Sequence, residues 1–154
     1  MTVLLRPEDA GDDEFLLGLL AETIAMELGA EQWPESLRVQ IVGMQVGNRR
    51  MGPRAGYPQG QSSVIVADGE RAGWIFKASL PGEVHIVEVM IRPALRGRGV
   101  GAAAIGQVLE RARQDGRRVT LTVNVLNSGA IRLYERLGFR RVGGTPLQHH
   151  MEWT

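Results

Sequence analysis

Apolar residues recur at helical spacing near the start of the chain. From Leu16 to Ile24, leucines and an isoleucine lie three and four positions apart, which predicts a helix with one apolar face. Asp12 or Asp13 is a suitable cap for its first turn, and Gly29 marks its end.

A second helical pattern follows Pro34, a residue that suits the first position of a helix. Its apolar stripe runs from Leu37 to Met44, and we predict that the helix ends near Gly47. Residues 48–61 are rich in Gly, Pro and Arg and have little periodicity, so we predict a loop. Loops of this length are often functional, although a tolerated surface insertion is an equally good interpretation.

Short β-branched or alternating runs predict the strands. Asp68-Gly69 predicts a hairpin turn between two of them, and Pro81-Gly82 leads into a strand that ends at or near Arg92. The remaining predicted strands are Val3–Arg6, Ser63–Ala67, Ala72–Ala78, Val119–Val125, Phe139–Val142 and His149–Trp153.

The most informative stretch begins with the apolar run Val87–Ile91, which is typical of a strand covered on both faces. Gly97, Gly99 and Gly101 follow at alternate positions, and the stripe from Ile105 to Ala112 predicts a helix whose first turn carries these glycines. This strand, the helix and the next strand form a βαβ unit, so we expect the two strands to be parallel.

Alternating glycines disfavour a helix, so their position at its start needs a reason. A helix N-terminus presents unpaired N–H groups and about half a positive charge, and without side chains it suits a phosphate. Arg96 and Arg98 add positive charge. Close packing of bare glycines against a neighbouring element is the structural alternative.

Two common phosphate motifs fit poorly. The glycines match a dinucleotide fingerprint, but that motif requires an acidic residue at the end of the next strand, where this chain has Asn124 to Asn127. A nucleoside-triphosphate loop would require Gly-Lys-Ser or Gly-Lys-Thr, which does not follow here. A pyrophosphate site on a small mixed sheet is the interpretation that survives.

Composition narrows the class of protein. A length of 154 residues predicts one domain, residues 1–154, with a core that needs no disulfide or metal. The net charge of +1 does not favour nucleic acid as a partner, despite a local excess of arginine in the central segment. No apolar run approaches the roughly 18 residues of a membrane span, and no secretion signal is visible, so we expect a cytoplasmic protein. The absence of cysteine excludes a cysteine acyl-enzyme.

Two segments together carry a family resemblance. Arg96-Gly97-Arg98-Gly99-Val100-Gly101 matches R-x-x-G-x-G, and Asn127 to Phe139 follows with the sequence NSGAIRLYERLGF. The pair resembles the GCN5-related N-acetyltransferase (GNAT) family. The order of elements resembles that family across essentially the whole chain, although the N-terminal third does so in pattern only. The resemblance implies an α/β (α+β) fold: a mixed, mostly antiparallel sheet with a central splayed parallel strand pair and about four flanking helices.

The resemblance also implies how acetyl-CoA, as co-substrate, would bind. Backbone amides of the glycine-rich turn would hold its pyrophosphate, and main-chain groups of the central strand would contact the pantetheine arm. Asn127 matches a cofactor-contacting asparagine, although a simple helix cap accounts for it equally well. The implied cofactor-binding residues are Val89, Met90, Ile91, Arg96, Gly97, Arg98, Gly99, Val100, Gly101 and Asn127.

Two catalytic residues are implied. Tyr134 matches the tyrosine that protonates the departing thiolate, and the alternative is a tyrosine that only packs. Glu88 is the preferred general base, with His85 or water as alternatives. Strand alternation separates Glu88 from His85 onto opposite faces unless a bulge resets the register.

The implied reaction is direct acetyl transfer from acetyl-CoA to an amine within a ternary complex, without a metal. The acceptor is a small-molecule amine or a protein amine, and it would lie against the N-terminal helices, residues 48–61 and the turn from Gly143 to His150. A non-catalytic acyl-CoA-binding module is the alternative function, and a homodimer is one expected assembly. Aromatic and histidine side chains that are candidate acceptor contacts are Trp33, Tyr57, Trp74, His149 and His150.

Overall fold

A computed structural model describes all residues from Met1 to Thr154. It contains seven strands and four α-helices, which confirms the predicted fold class. The strands are β1 (Val3–Pro7), β2 (Gln61–Ala67), β3 (Glu70–Leu80), β4 (Glu83–Ile91), β5 (Arg118–Asn124), β6 (Arg140–Gly144) and β7 (Gln148–Trp153). The helices are α1 (Asp13–Leu28), α2 (Glu35–Gly56), α3 (Val100–Gln114) and α4 (Ser128–Arg136).

The strands form one sheet in the order β1-β2-β3-β4-β5-β7-β6. Every neighbouring pair is antiparallel except β4 and β5, which are the two strands of the predicted βαβ unit. The parallel pair therefore lies in the centre of the sheet, where β4 and β5 connect its two antiparallel halves.

Two apolar clusters cover opposite faces of the sheet. On β3, Ile75 belongs to the cluster under α3 and α4, whereas its neighbours Trp74 and Phe76 belong to the cluster under α1 and α2. Because successive side chains of a strand point to opposite faces, helices α3 and α4 cover one face of the sheet, and α1 and α2 cover the other. None of the helices combines the length and the apolar character needed to cross a bilayer.

The predicted loop at residues 48–61 is wrong. Helix α2 continues to Gly56 with Pro53 inside it, and only four residues separate it from β2. Tertiary contacts explain why a glycine-rich segment stays helical: Arg49 and Arg50 form ion pairs with residues of other elements, and Arg50 also lies over the Trp74 ring at 5.9 Å. Local helix propensity is a weak preference that such contacts override.

Asp12 has a different role from a simple helix cap. Its side chain is fully buried and makes no cap hydrogen bond for α1. Instead, the carboxylate accepts hydrogen bonds from Arg6 at 2.7 and 2.9 Å, from Arg71 at 2.9 Å and from the backbone of Asp9 at 2.8 Å. These donors hold the pKa of Asp12 well below its usual range, with the Arg6 hydrogen bonds as the main cause.

Replacing Asp12 with asparagine is expected to lower the free energy of unfolding at pH 7 by about 2 kcal/mol, because charge-assisted hydrogen bonds are lost while the arginines stay partly solvated. A lowered folded-state pKa stabilises above the unfolded pKa, so wild type and variant should converge only at strongly acidic pH. Urea denaturation measures this. Asp13→Asn, a change at an exposed carboxylate, is the control; equal losses in both variants would contradict the assignment.

Candidate active site

The parallel pairing of β4 and β5 stops halfway along both strands. Its register ends at Ile86 opposite Leu121, yet β4 continues to Ile91 and β5 to Asn124. Beyond that point the two strands diverge, as predicted. A strand edge without a partner offers free main-chain N–H and C=O groups to a ligand in the gap.

A bulge in β4 determines which side chains face this gap. On the neighbouring strand, Phe76 pairs with Glu88 and Lys77 with Ile86, so Val87 has no partner. The extra residue resets the alternation, and His85 and Glu88 both face α2 instead of opposite sides. His85 stacks on Tyr57, which follows α2, with ring centroids 5.8 Å apart.

The glycine-rich turn connects β4 to α3. Gly97 and Gly99 have φ values of 76° and 82°, a left-handed conformation that favours glycine. Gly99 is the N-cap of α3, and no side chain caps the helix. Two of the glycines therefore precede the helix, and only Gly101 lies within its first turn, which corrects the prediction that all three lie on that turn.

This turn has the shape of an anion cradle. The first α-helical bond joins the Ala103 N–H to the Gly99 carbonyl, so the amides from Gly97 to Ala102 have no backbone partner, whereas the Arg96 N–H donates to the Pro93 carbonyl at 3.3 Å. A Cβ at Gly97 would meet nothing within 4 Å, which shows open space beside the backbone. Arg96 and Arg98 are exposed at the same turn. Free amides, a helix N-terminus and two arginines suit a bound phosphate group.

Asn127 caps α4, the helix that follows β5. Its side-chain oxygen accepts a hydrogen bond from the Ala130 N–H at 3.2 Å, so the predicted capping role is confirmed. The cap fixes the start of the helix that carries Tyr134, and it does so at the end of the gap between β4 and β5.

Tyr134 is buried, with 7% of its surface exposed, and its ring lies 5.7 Å from that of Phe139. Burial raises the pKa of its hydroxyl to about 12, and the negative charge of Glu88 raises it further in the same direction. The phenol is therefore protonated at neutral pH.

Glu88 is held by an arginine that the sequence did not indicate. Arg49 of α2 donates to the Glu88 carboxylate at 3.0 Å and to Glu27 of α1 at 2.7 Å. Burial raises the pKa of Glu88, and the nearby Arg49 opposes this shift without cancelling it. The sequence did not indicate this role of Arg49 because the residue lies in the segment that was predicted as a loop.

The remaining candidate acceptor contacts, Trp33, Trp74, His149 and His150, differ in how exposed they are. Trp74 lies in the core and donates to Ser62, so it is unavailable to an acceptor. His150 is exposed on β7, whereas the buried Nδ1 of His149 has no hydrogen-bond partner. Trp33 packs at the margin of the cluster under α1 and α2.

Comparisons with known proteins show which family this chain matches and which proteins it resembles. Residues 25–139 match the model of the acetyltransferase (GNAT) family. An uncharacterized N-acetyltransferase of Methanocaldococcus jannaschii is 43% identical over 67 residues, which are 43% of this chain and 30% of that protein. A putative ribosomal protein bS18-alanine N-acetyltransferase of Bacillus subtilis is 30% identical over 87 residues, 56% of this chain and 58% of the relative. The matched segments thus cover less than two thirds of either relative.

A solved structure extends the comparison to the whole fold. The PaiA N-acetyltransferase of Thermoplasma acidophilum, crystallised in complex with coenzyme A, superimposes with a TM-score of 0.73 and 16% identity. The match covers 100% of this chain and 99% of that one. At this level of identity the likeness concerns the fold.

Proposed function

Because the chain belongs to the acetyltransferase (GNAT) family, we propose that it transfers an acetyl group directly from acetyl-CoA to an amine. The observation that carries this proposal is the gap between β4 and β5, beyond the end of their pairing at Ile86 and Leu121. Strand β4 carries the half-buried carboxylate of Glu88 there, and the helix that follows β5 carries the buried phenol of Tyr134. A proton acceptor and a protonated phenol at one ligand-accessible gap are what acyl transfer to an amine requires.

In this proposal, acetyl-CoA binds along the gap. The free amides from Gly97 to Gly101 hold the pyrophosphate with Arg96 beside them, a role supported by the open backbone at Gly97 and the uncapped start of α3. Val89, Met90 and Ile91 offer main-chain groups to the pantetheine arm, because β4 has no β5 partner there. Asn127 lies at the same end of the gap and adds a polar contact.

The thioester would lie where the β4 main chain meets Tyr134. A free N–H of β4 near the thioester oxygen stabilises the negative charge that develops as the amine attacks, an effect typically worth about 3 kcal/mol. Holding both substrates in one cleft supplies further rate, and no acyl-enzyme is required. The chain has no cysteine to form one of the thiol type.

Glu88 accepts a proton from the acceptor nitrogen, and Tyr134 donates one to the sulfur. Burial favours both roles because it raises the pKa of each group: the carboxylate becomes a stronger base, and the phenol keeps its proton. Arg49 holds the carboxylate in place by donating a hydrogen bond to it.

These pKa shifts predict the pH dependence of kcat/KM. Glu88 must be ionised to accept a proton, so activity is expected to fall as pH drops through its raised pKa, and Tyr134 should cause no alkaline loss below roughly pH 10. Glu88→Gln should lower kcat/KM by about 100-fold and remove the acidic limb that belongs to Glu88. A variant that keeps the wild-type profile would contradict this role.

A panel of acceptors tests the proposed function. One relative is named a putative ribosomal protein bS18-alanine N-acetyltransferase, and one solved neighbour is a chimeric spermidine N-acetyltransferase. The panel should therefore contain peptide α-amines, lysine ε-amines and polyamines. Release of free CoA from acetyl-CoA can be followed with a thiol reagent, because the protein contributes no thiol of its own. Tight acetyl-CoA binding without turnover of any amine would instead favour the non-catalytic binding module.

A further inference from the structure

A chain of hydrogen-bonded side chains lies across the paired part of β4 and β5. The Thr120 hydroxyl donates to Glu83 Oε2 at 2.6 Å, and His85 Nδ1 lies 2.9 Å from the same hydroxyl oxygen. Arg118 approaches the other carboxylate oxygen of Glu83 at 3.5 Å. Neither Glu83 nor Thr120 has a role in the proposed mechanism.

This arrangement fixes the position of the proton on His85. The Glu83 carboxylate only accepts hydrogen bonds, so Thr120 must use its single hydroxyl proton to donate to it. The Thr120 oxygen can then only accept from His85, which places the imidazole proton on Nδ1. Neutral His85 therefore presents a free lone pair at Nε2.

The surroundings of His85 keep it neutral. Burial lowers its pKa; Glu83 opposes the shift, and His150 of β7 adds to it. Tyr57, at the end of α2, packs against the ring, and Arg118 of β5 is held by Glu83. Because of the bulge at Val87, the ring shares a sheet face with Glu88 and thus faces the acceptor side.

We propose that His85 Nε2 removes the first proton from the acceptor ammonium, with Thr120 and Glu83 as positioning residues that hold the required tautomer. This inference rests on the proposed function. In the step, an N–H bond of the ammonium breaks, its electron pair stays on nitrogen as the attacking lone pair, and an Nε2–H bond forms. His85 becomes an imidazolium, whose positive charge Glu83 stabilises through Thr120.

In this proposal His85 and Glu88 accept different protons from the acceptor nitrogen. Converting an ammonium into an amide removes two protons from nitrogen: one before attack, and one after the C–N bond has formed. Glu88, the base of the proposed function, takes the second proton once the C–N bond has formed. His85 takes the first proton, which afterwards leaves to solvent.

The tautomer can be observed directly by nitrogen-15 NMR of the folded, histidine-labelled protein. The chain has three histidines, and His85→Gln identifies the His85 signals by their loss. In the wild type, Nδ1 should carry the proton; in Thr120→Val, a substantial Nε2–H population should appear. Thr122→Val makes the same change two residues along, at an exposed position of the same strand face, and should leave the tautomer unaltered.

Kinetics then test the use of that lone pair. His85→Gln is expected to lower kcat/KM for a lysine ε-amine by about 100-fold at pH 7. The defect should shrink as pH rises toward the amine's own pKa of about 10.4, because free amine no longer needs a proton acceptor. Thr120→Val should show a smaller defect with the same pH trend, and the Glu88→Gln defect should persist at high pH.

Three results would overturn the inference: an Nε2–H tautomer in the wild type, a Thr120→Val tautomer identical to that of the wild type, or a His85→Gln defect independent of pH. If no acceptor supports turnover, the proposed function fails, and the NMR experiment still decides whether Thr120 sets the tautomer.

Discussion

Tyr134→Phe is expected to lower kcat by 10²–10⁴-fold, the range over which general acid–base groups usually contribute. The variant removes only the hydroxyl. Without it, the sulfur leaves as a thiolate with no proton donor, in a buried environment that disfavours the added charge. Single-turnover measurements at saturating acetyl-CoA and acceptor would locate the loss in the chemical step.

We expect the fold to tolerate Tyr134→Phe, so that a loss of activity can be assigned to catalysis and not to unfolding. No hydrogen bond to another protein group contributes to the raised pKa of Tyr134, and its ring continues to pack on Phe139. The free energy of unfolding and the free energy of CoA binding should therefore each match the wild-type value within about 0.5 kcal/mol. A kcat close to that of the wild type would assign Tyr134 to packing alone.

Gly101→Ala is expected to weaken acetyl-CoA binding by at least about 100-fold, which corresponds to about 2.8 kcal/mol. The free amides at the start of α3 can hold a pyrophosphate only if it approaches the backbone closely. An added methyl group on Gly101 would occupy the space between the first turn of α3 and the side chains of Ile91 and Leu133. We expect it to widen the approach of the phosphates to these amides and so to weaken hydrogen bonds to charged oxygens, each worth about 1.5–3 kcal/mol. Isothermal titration calorimetry measures the change.

The geometry around Gly101 separates ligand binding from folding. A Cβ there would lie 3.6 Å from Ile91 and 3.8 Å from Leu133, which are ordinary contacts, and the backbone is not left-handed. Gly106→Ala is the matched control: it makes the same substitution in α3, with nothing within 4 Å of the new Cβ. Both variants should be slightly more stable than the wild type. Equal acetyl-CoA affinity in the two would refute the pyrophosphate assignment.

The sequence predicted the βαβ unit and its glycine-rich turn well, because their signals are local. An apolar run, alternating glycines and a helical stripe each report on neighbouring residues, and the parallel order follows from the crossover rule. The placement of Tyr134 near the gap rested on the family resemblance, since a tyrosine on a helical stripe carries no signal of its own.

The parts that the sequence missed depend on distant contacts. Arg49 and Arg50 keep α2 helical through partners in other elements, so the glycines of that segment gave a misleading local signal. The bulge at Val87 is specified by pairing with β3 and not by any turn residue in β4. The hydrogen bond between His85 and Thr120 joins two strands separated by α3, so no spacing rule indicates it.

Arg49 has a consequence for how this protein could change its range of acceptors. One guanidinium joins α1 and α2, the helices expected to contact the acceptor, to the carboxylate of Glu88. A substitution that reshapes this helix pair also alters the charge that Glu88 experiences, and with it the basicity of that group. With Glu88 as the proposed base, we therefore expect acceptor selectivity and turnover to be coupled, so that a change in one requires compensation in the other.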